Sequence, residues 1–181
     1  MRKYARGTAR WTVLALVSLA ALTVAPAAQA EEKVITNGFE GYDIEKWDRL
    51  RGGDGLAGFE NGAGTARSGR VNGWLSTTRG WAREGTWASF GTNIWGPSMV
   101  CTAEIYVKPI RDLQFELRVW NAQGTKLATN APWLVANGNY QTVQVTWRAE
   151  YENNAFVEAI LGSDGIPRAV RLDDLVVRCN S

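Results

Sequence analysis

Over residues 100–107 every second position is apolar. Cys101, Ala103, Ile105 and Val107 share one side, and Thr102, Glu104 and Tyr106 share the other. Leu113, Phe115, Leu117 and Val119 repeat the pattern against Gln114, Glu116, Arg118 and Trp120. Val143, Val145 and Trp147 repeat it once more against Gln144, Thr146 and Arg148. A period of two is the signature of a strand with one buried face. Shorter strands are expected over 33–37, 73–77, 86–90, 155–161 and 170–179. Turn clusters separate them: Gly52-Gly53-Asp54-Gly55, Asn61-Gly62, Ala122-Gln123-Gly124, Asn137-Gly138-Asn139 and Ser163-Asp164-Gly165. No stretch keeps a helical period for three turns. About eight strands in one domain predict an all-β fold, a two-sheet antiparallel β-sandwich of the jelly-roll kind.

The first thirty residues read differently. Arg2, Lys3, Arg6 and Arg10 precede an apolar stretch over 12–24, and Ala28-Gln29-Ala30 forms a small-x-small cleavage site. This is the pattern of a secretory signal peptide over 1–30, with the β-sandwich domain over 31–181. The apolar run is short for a membrane span. A secreted, extracellular protein with no membrane partner is the expectation. The whole chain carries 20 Lys+Arg against 18 Asp+Glu. Without the four basic residues of the leader the balance is 16 against 18, and no basic stripe remains to argue for nucleic acid. The domain is expected to be a monomer.

Two cysteines, Cys101 and Cys179, lie beyond the leader. In an oxidising compartment a disulfide is expected, with two buried thiols as the alternative. It would close a loop of roughly 80 residues.

Nine tryptophans, eight of them beyond the leader, stand in a chain with no histidine. Indole rings offer flat apolar faces with a polar edge. Histidine is the commonest general acid–base and metal ligand. The combination suits holding a ligand better than transforming one. Tyr106, Glu104, Trp120, Arg118, Glu116, Gln114, Arg148 and Gln144 occupy the polar faces of the long strands. On one curved sheet they would line a concave groove, with aromatic platforms among hydrogen-bond donors and acceptors. A merely solvated sheet face is the alternative. Gly52-Gly53-Asp54-Gly55 has no Lys-Ser/Thr after it, so it is a turn and not a phosphate loop.

Three segments together resemble extracellular carbohydrate-binding modules of families four, nine and twenty-two. Ile35-Thr36-Asn37-Gly38-Phe39-Glu40 is similar to their opening strand. Arg67-Ser68-Gly69-Arg70, Trp74-Leu75-Ser76 and Arg79-Gly80-Trp81 resemble their second motif. Val170-Arg171-Leu172-Asp173-Asp174-Leu175-Val176-Val177 resembles their closing strand. The resemblance spans residues 33–179. It implies a jelly roll with a carbohydrate cleft and a structural calcium ion (Ca2+) elsewhere. Glu40 and Asp173 match calcium ligands of the family, with Asp174 as the alternative acid; simple capping of strand ends is the other reading. Trp81 and Glu158 match sugar-contacting positions, Glu158 having a paired or partly buried carboxylate as its alternative. Tyr106, Trp120, Arg118 and Gln144 join this candidate site from the alternation alone. Trp47, Trp74, Trp87 and Trp147 are expected in the core or at the rim, and Trp95 and Trp133 at the cleft edge.

The expected function is thus non-catalytic binding of an oligosaccharide or polysaccharide. A protein-interaction module is the alternative, and a jelly-roll glycosidase a further one. A glycosidase needs two carboxylates facing each other across a cleft. Glu104, Glu116 and Glu158 are the acids that would have to meet there, while Glu150 and Glu152 sit near a turn.

Overall fold

The computed structural model describes residues 32–86, 90–91, 99–149 and 154–180. The leader, Trp87, Trp95, Glu150 and Glu152 lie outside these residues. The described elements are β1 (Glu32–Asn37), a 3-10 turn (Gly41–Lys46), β2 (Trp47–Gly53), β3 (Leu56–Asn61), β4 (Val71–Thr86), β5 (Phe90–Gly91), β6 (Val100–Pro109), β7 (Leu113–Gln114), β8 (Glu116–Asn121), β9 (Lys126–Asn130), β10 (Trp133–Leu134), β11 (Gln141–Arg148) and β12 (Asn154–Asn180).

All pairings are antiparallel, and the strands form the two layers of a sandwich. One layer runs β9, β8, the first part of β12, the second part of β4, then β2. The other runs β11, β6, the rest of β12, the first part of β4, then β3, with β1 beside the end of β12. β4 and β12 therefore belong to both layers. The edge chain follows them. β2 pairs with β4 from Trp47↔Thr86 to Gly53↔Gly80, and β3 continues from Leu56↔Ser76 to Asn61↔Val71. Gly52-Gly53-Asp54-Gly55 is thus the corner of one continuous antiparallel partner and does not reverse the chain. The register of β12 against β4 shifts at the same level, between Asp164 and Arg168. Three neighbouring strands bend over one shared corner.

This explains a departure from the sequence expectation. Residues 73–77 and 86–90 read as separate short strands, as did 155–161 and 170–179. The structure joins 73–77 to Thr86 as β4, and both later segments into β12. Ser163-Asp164-Gly165 carries turn chemistry, but the ladder continues around it. Asp54 secures the corner: its Oδ1 accepts hydrogen bonds from Thr77 Oγ1 at 2.8 Å, Thr78 N at 2.9 Å and Arg79 N at 2.8 Å. Those donors, the Arg79 amide foremost, hold its carboxyl below the ordinary aspartate range.

The alternation places Leu117, Val119, Val157, Ala159 and Leu161 of one layer against Ala103, Ile105, Val107, Val143, Val145, Val170 and Leu172 of the other, all buried. Trp47 and Trp147 are core residues as expected. Trp47 stacks on Phe39 with ring centroids 4.7 Å apart. Its Nε1 donates to Asn37 Oδ1 at 3.0 Å, which also accepts the Phe39 amide. The opening Asn-Gly-Phe-Glu motif is therefore a core anchor. Cys101 and Cys179 face each other directly across β6 and β12 and are joined by a disulfide.

The inward face of β4 also carries a carboxyl. Glu84 of β4 is 0% exposed, and neither carboxylate oxygen has a hydrogen-bond partner. Burial pushes its carboxyl well up; the nearby Trp74 and Gly58 amides and Arg49 offset this only in part. A glutamate whose folded pKa is raised holds its proton more tightly folded than unfolded. Its contribution is full below the ordinary value of 4.5 and declines as pH rises toward the folded value. Glu84→Gln should therefore gain stability over wild type on going from pH 4.5 to pH 7. Parallel melts of both proteins at the two pH values check this; a pH-independent difference would remove the account.

Candidate functional site

The outward residues of the first layer enclose a groove of about 800 Å³. Strand register orders its walls. At one level Arg118 of β8 faces Glu158 of β12, which faces Gly85 of β4. Two residues further along, about 6.6 Å, Glu116 faces Ile160, which faces Arg83. Beyond these, Gly162 faces Trp81, and Gln114 lines the same end. Trp120 stands at the opposite end, facing Phe156. The floor thus carries a charged band between two indole-bearing ends.

Glu158 is the centre of that band. It is 3% exposed. Arg83 pairs with its Oε1. Trp120 Nε1 donates to Oε2 at 2.8 Å, and Arg118 Nη1 lies 3.7 Å from the same oxygen. Arg118 also grips Glu116 with two parallel bonds, at 2.6 and 2.7 Å. A buried carboxylate needs such partners. This pairing, Arg118 first, holds the Glu116 carboxyl below its usual range. It holds Arg118 firmly protonated. The network fixes the Trp120 ring by its polar edge.

Trp81 is 40% exposed. Trp133 of β10 is 63% exposed and sits opposite Gln114 in register. Cross-strand partners project to the same face, so Trp133 lies on the Gln114 side of the β7–β10 pair, outside the residues that line the groove. Six of the residues chosen from the sequence, Trp81, Glu158, Trp120, Arg118, Glu116 and Gln114, converge here. Arg83, Ile160, Gly162, Asp164 and Arg168 also line it and were not singled out from the sequence. The readable signal was the alternation Trp81, Arg83, Gly85 against Ala82 and Thr86, hidden by inward Glu84.

Tyr106 and Gln144 are elsewhere, which corrects the single groove expected from the alternation. Both lie on the second layer, on β6 and β11. Gln144 donates to its cross-strand partner Glu104. The Tyr106 ring is covered by the Arg67 guanidinium, 3.6 Å from the ring centroid. Alternation sorts residues between the two faces of a strand. It does not say which sheet the strand joins.

Glu40, Asp173 and Asp174 converge on the 67–71 loop. Glu40 Oε1 accepts the Arg70 and Val71 amides at 2.5 and 2.7 Å. Asp173 Oδ2 accepts the Arg67 and Ser68 amides at 2.6 and 3.1 Å, and its Oδ1 accepts the Asp174 amide at 2.9 Å. Asp174 binds the Arg67 guanidinium and the Ser68 hydroxyl. Burial, ahead of these bonds, raises the Asp173 carboxyl. Carboxylate oxygens are the hard donors calcium takes. As arranged, however, they are engaged by amides and a guanidinium, and calcium would have to exchange those bonds for its own. Among the described residues no group of three or more His, Cys, Asp or Glu is placed to hold a metal.

No protein-family model matches the sequence, and no curated protein is similar to it. Solved structures are similar in fold. A family 61 carbohydrate-binding module in complex with β-1,4-galactotriose superposes with a TM-score of 0.59 at 11% identity, covering 78% of this chain and 93% of that one. The family 22 xylan-binding domain from Paenibacillus barcinonensis Xyn10C gives 0.55 at 20% identity, covering 84% and 97%. An arabinose-bound α-L-arabinofuranosidase gives 0.56 at 10% identity, with 79% of this chain on 25% of that one. The chain has the β-jelly-roll fold of carbohydrate-binding modules.

Proposed function

We propose that the chain is a secreted, non-catalytic carbohydrate-binding module that takes an oligosaccharide or polysaccharide into the groove of its first layer. The observation that carries this reading is the pairing of two indoles on the groove wall, exposed Trp81 and half-buried Trp120, with the Arg83–Glu158–Arg118 floor between them. Sugar rings lay their C–H faces on indoles, and hydroxyls need donors and acceptors side by side. The residues of the floor are already ordered, so little rotamer freedom is lost on binding. The neighbours in fold include a module in complex with galactotriose and a xylan-binding domain, which supports the ligand class. The disulfide supports an oxidising destination for the chain, in keeping with a leader over residues 1–30.

The non-catalytic part rests on the groove's acids. A glycosidase acid must keep its proton near neutral pH, through a raised pKa. Glu116 is held in the opposite direction by Arg118. Electrophoresis in gels containing xylan, β-1,4-galactan or arabinan tests the whole reading. Retardation by at least one polysaccharide, with no reducing ends released, is the expected result. Release of reducing ends would turn the reading to a glycosidase, and indifference to all sugars to a protein-binding module.

Calcium belongs to the same reading, with Glu40 and Asp173 as its side-chain ligands and backbone carbonyls as the rest. An ion bound at a hundred times its Kd stabilises by about 2.7 kcal/mol. Chelator should then lower the melting temperature by several degrees. An unchanged melt, with no metal by elemental analysis, would leave the loop held by hydrogen bonds alone.

A further inference from the structure

Trp81 is held at the groove by what lies beside it. Its direct cross-strand partner on β2 is Gly52. A Cβ built on Gly52 would stand 2.3 Å from Trp81 Nε1, 2.7 Å from Cε2 and 3.1 Å from Cδ1. Those three atoms form one edge of the pyrrole ring, so the indole lies across the β2 backbone where any other residue would put a side chain. The surroundings allow it no easy retreat. Gly55 Cα approaches the Trp81 carbonyl so closely that a Cβ there would fall 1.9 Å from its oxygen. Gly80, at φ +132°, packs on the Gly52 carbonyl, and Gly53, at φ +63°, packs on the Arg79 carbonyl. Asp54 holds the Thr78 and Arg79 amides. The backbone on both sides of the indole is therefore fixed.

We infer that Gly52-Gly53-Asp54-Gly55 is a cradle that sets the tilt and height of Trp81, with Gly52 as a positioning residue for ligand stacking. The sequence marks this segment only as a bend. The structure makes it a bend whose glycines are needed at defined contacts. The same device occurs once more on β4, on the other face of the molecule. Trp74 lies opposite Gly58 of β3, where a Cβ would come within 2.9 to 3.0 Å of three indole atoms. That second pair lines none of the groove, so it serves as an internal control. A cradled indole is braced by backbone along its pyrrole edge while 40% of the residue stays open to solvent. A rigid platform loses less freedom when a sugar ring settles on it than a swinging one does.

The inference rests on the carbohydrate-binding reading for its purpose but not for its geometry, and the test separates the two. The protein is labelled with 5-fluorotryptophan, and the Trp81 resonance is assigned by its loss in Trp81→Phe. In Gly52→Ala the fluorine resonance of Trp81 should shift while those of Trp47 and Trp147 stay in place. Gly58→Ala should move Trp74 alone. In gels containing xylan, β-1,4-galactan or arabinan, Gly52→Ala should weaken the best-retained sugar by fivefold or more. Adding Gly52→Ala to Trp81→Ala should change retention by less than twofold. An unmoved Trp81 resonance in a folded Gly52→Ala protein overturns the cradle, whether or not sugar binds. A shifted resonance with full retention overturns the positioning role. An equal loss in the Trp81→Ala background shows that Gly52 acts through the fold instead. Absence of sugar binding by wild type itself, with the resonance shifted, refutes the functional reading and leaves the cradle standing.

Discussion

Replacing Trp81 and Trp120 together by alanine is expected to abolish retention on whichever polysaccharide the wild-type protein binds. Tryptophans at the centre of an interface cost about 2 kcal/mol or more when truncated. Two of them correspond to roughly a thousandfold in affinity, at about 1.4 kcal/mol for each factor of ten. The fold should survive. Trp81 is 40% exposed, so part of its indole already lies in water. Trp120 gives up one hydrogen bond to Glu158, which keeps Arg83 and Arg118. The melting temperature should fall by only a few degrees. Affinity electrophoresis beside a thermal melt reads both quantities. Undiminished retention in the folded double variant would place the ligand somewhere other than this groove.

The largest stability effect is expected from the disulfide. Cys101 and Cys179 are 78 residues apart in sequence, and both are buried. A cross-link closing a loop of that size restricts the unfolded chain by about 4 kcal/mol in the chain-entropy model. Its loss in the Cys101→Ala, Cys179→Ala double variant should lower the melting temperature of a domain of this size by about 10 °C. The double variant and wild type should keep the same far-ultraviolet spectrum when cold. A melting point within about 2 °C of wild type would mean that β1 and β6 hold the end of β12 without help from the bond.

The architecture was legible where apolar residues alternate without interruption. β6 and β11 follow the pattern of Ile105 and Val145 as read, while the repeat over 113–120 is divided into β7 and β8, which belong to different sheets. The pairing of Cys101 with Cys179 follows from compartment chemistry and is present. β2 and β3 were missed, because Arg49, Arg51, Gly52 and Gly58 dilute any apolar period there. The two longest strands were each read as two, because Gly80 and the Ser163-Asp164-Gly165 cluster look like breaks. Local propensity cannot report that neighbouring strands bend in step and keep their hydrogen bonds. The groove was legible in part for the same reason. Trp120 and Arg118 lie on a clean strand, and Trp81 and Glu158 were marked by motif. Arg83 stood unnoticed beside a buried acid that reverses the usual sense of inside and outside. Tyr106 and Gln144 were grouped with the groove because face, not layer, is what a period of two encodes.

β12 runs unbroken from the groove floor at Glu158 to the cross-link at Cys179. A pull exerted on whatever fills the groove is therefore taken up along covalent backbone and handed to β6 through sulfur, without first unzipping a ladder. β4 gives a second such tie, from Trp81 down into the opposite layer. Built this way, the two layers cannot hinge apart like the covers of a book.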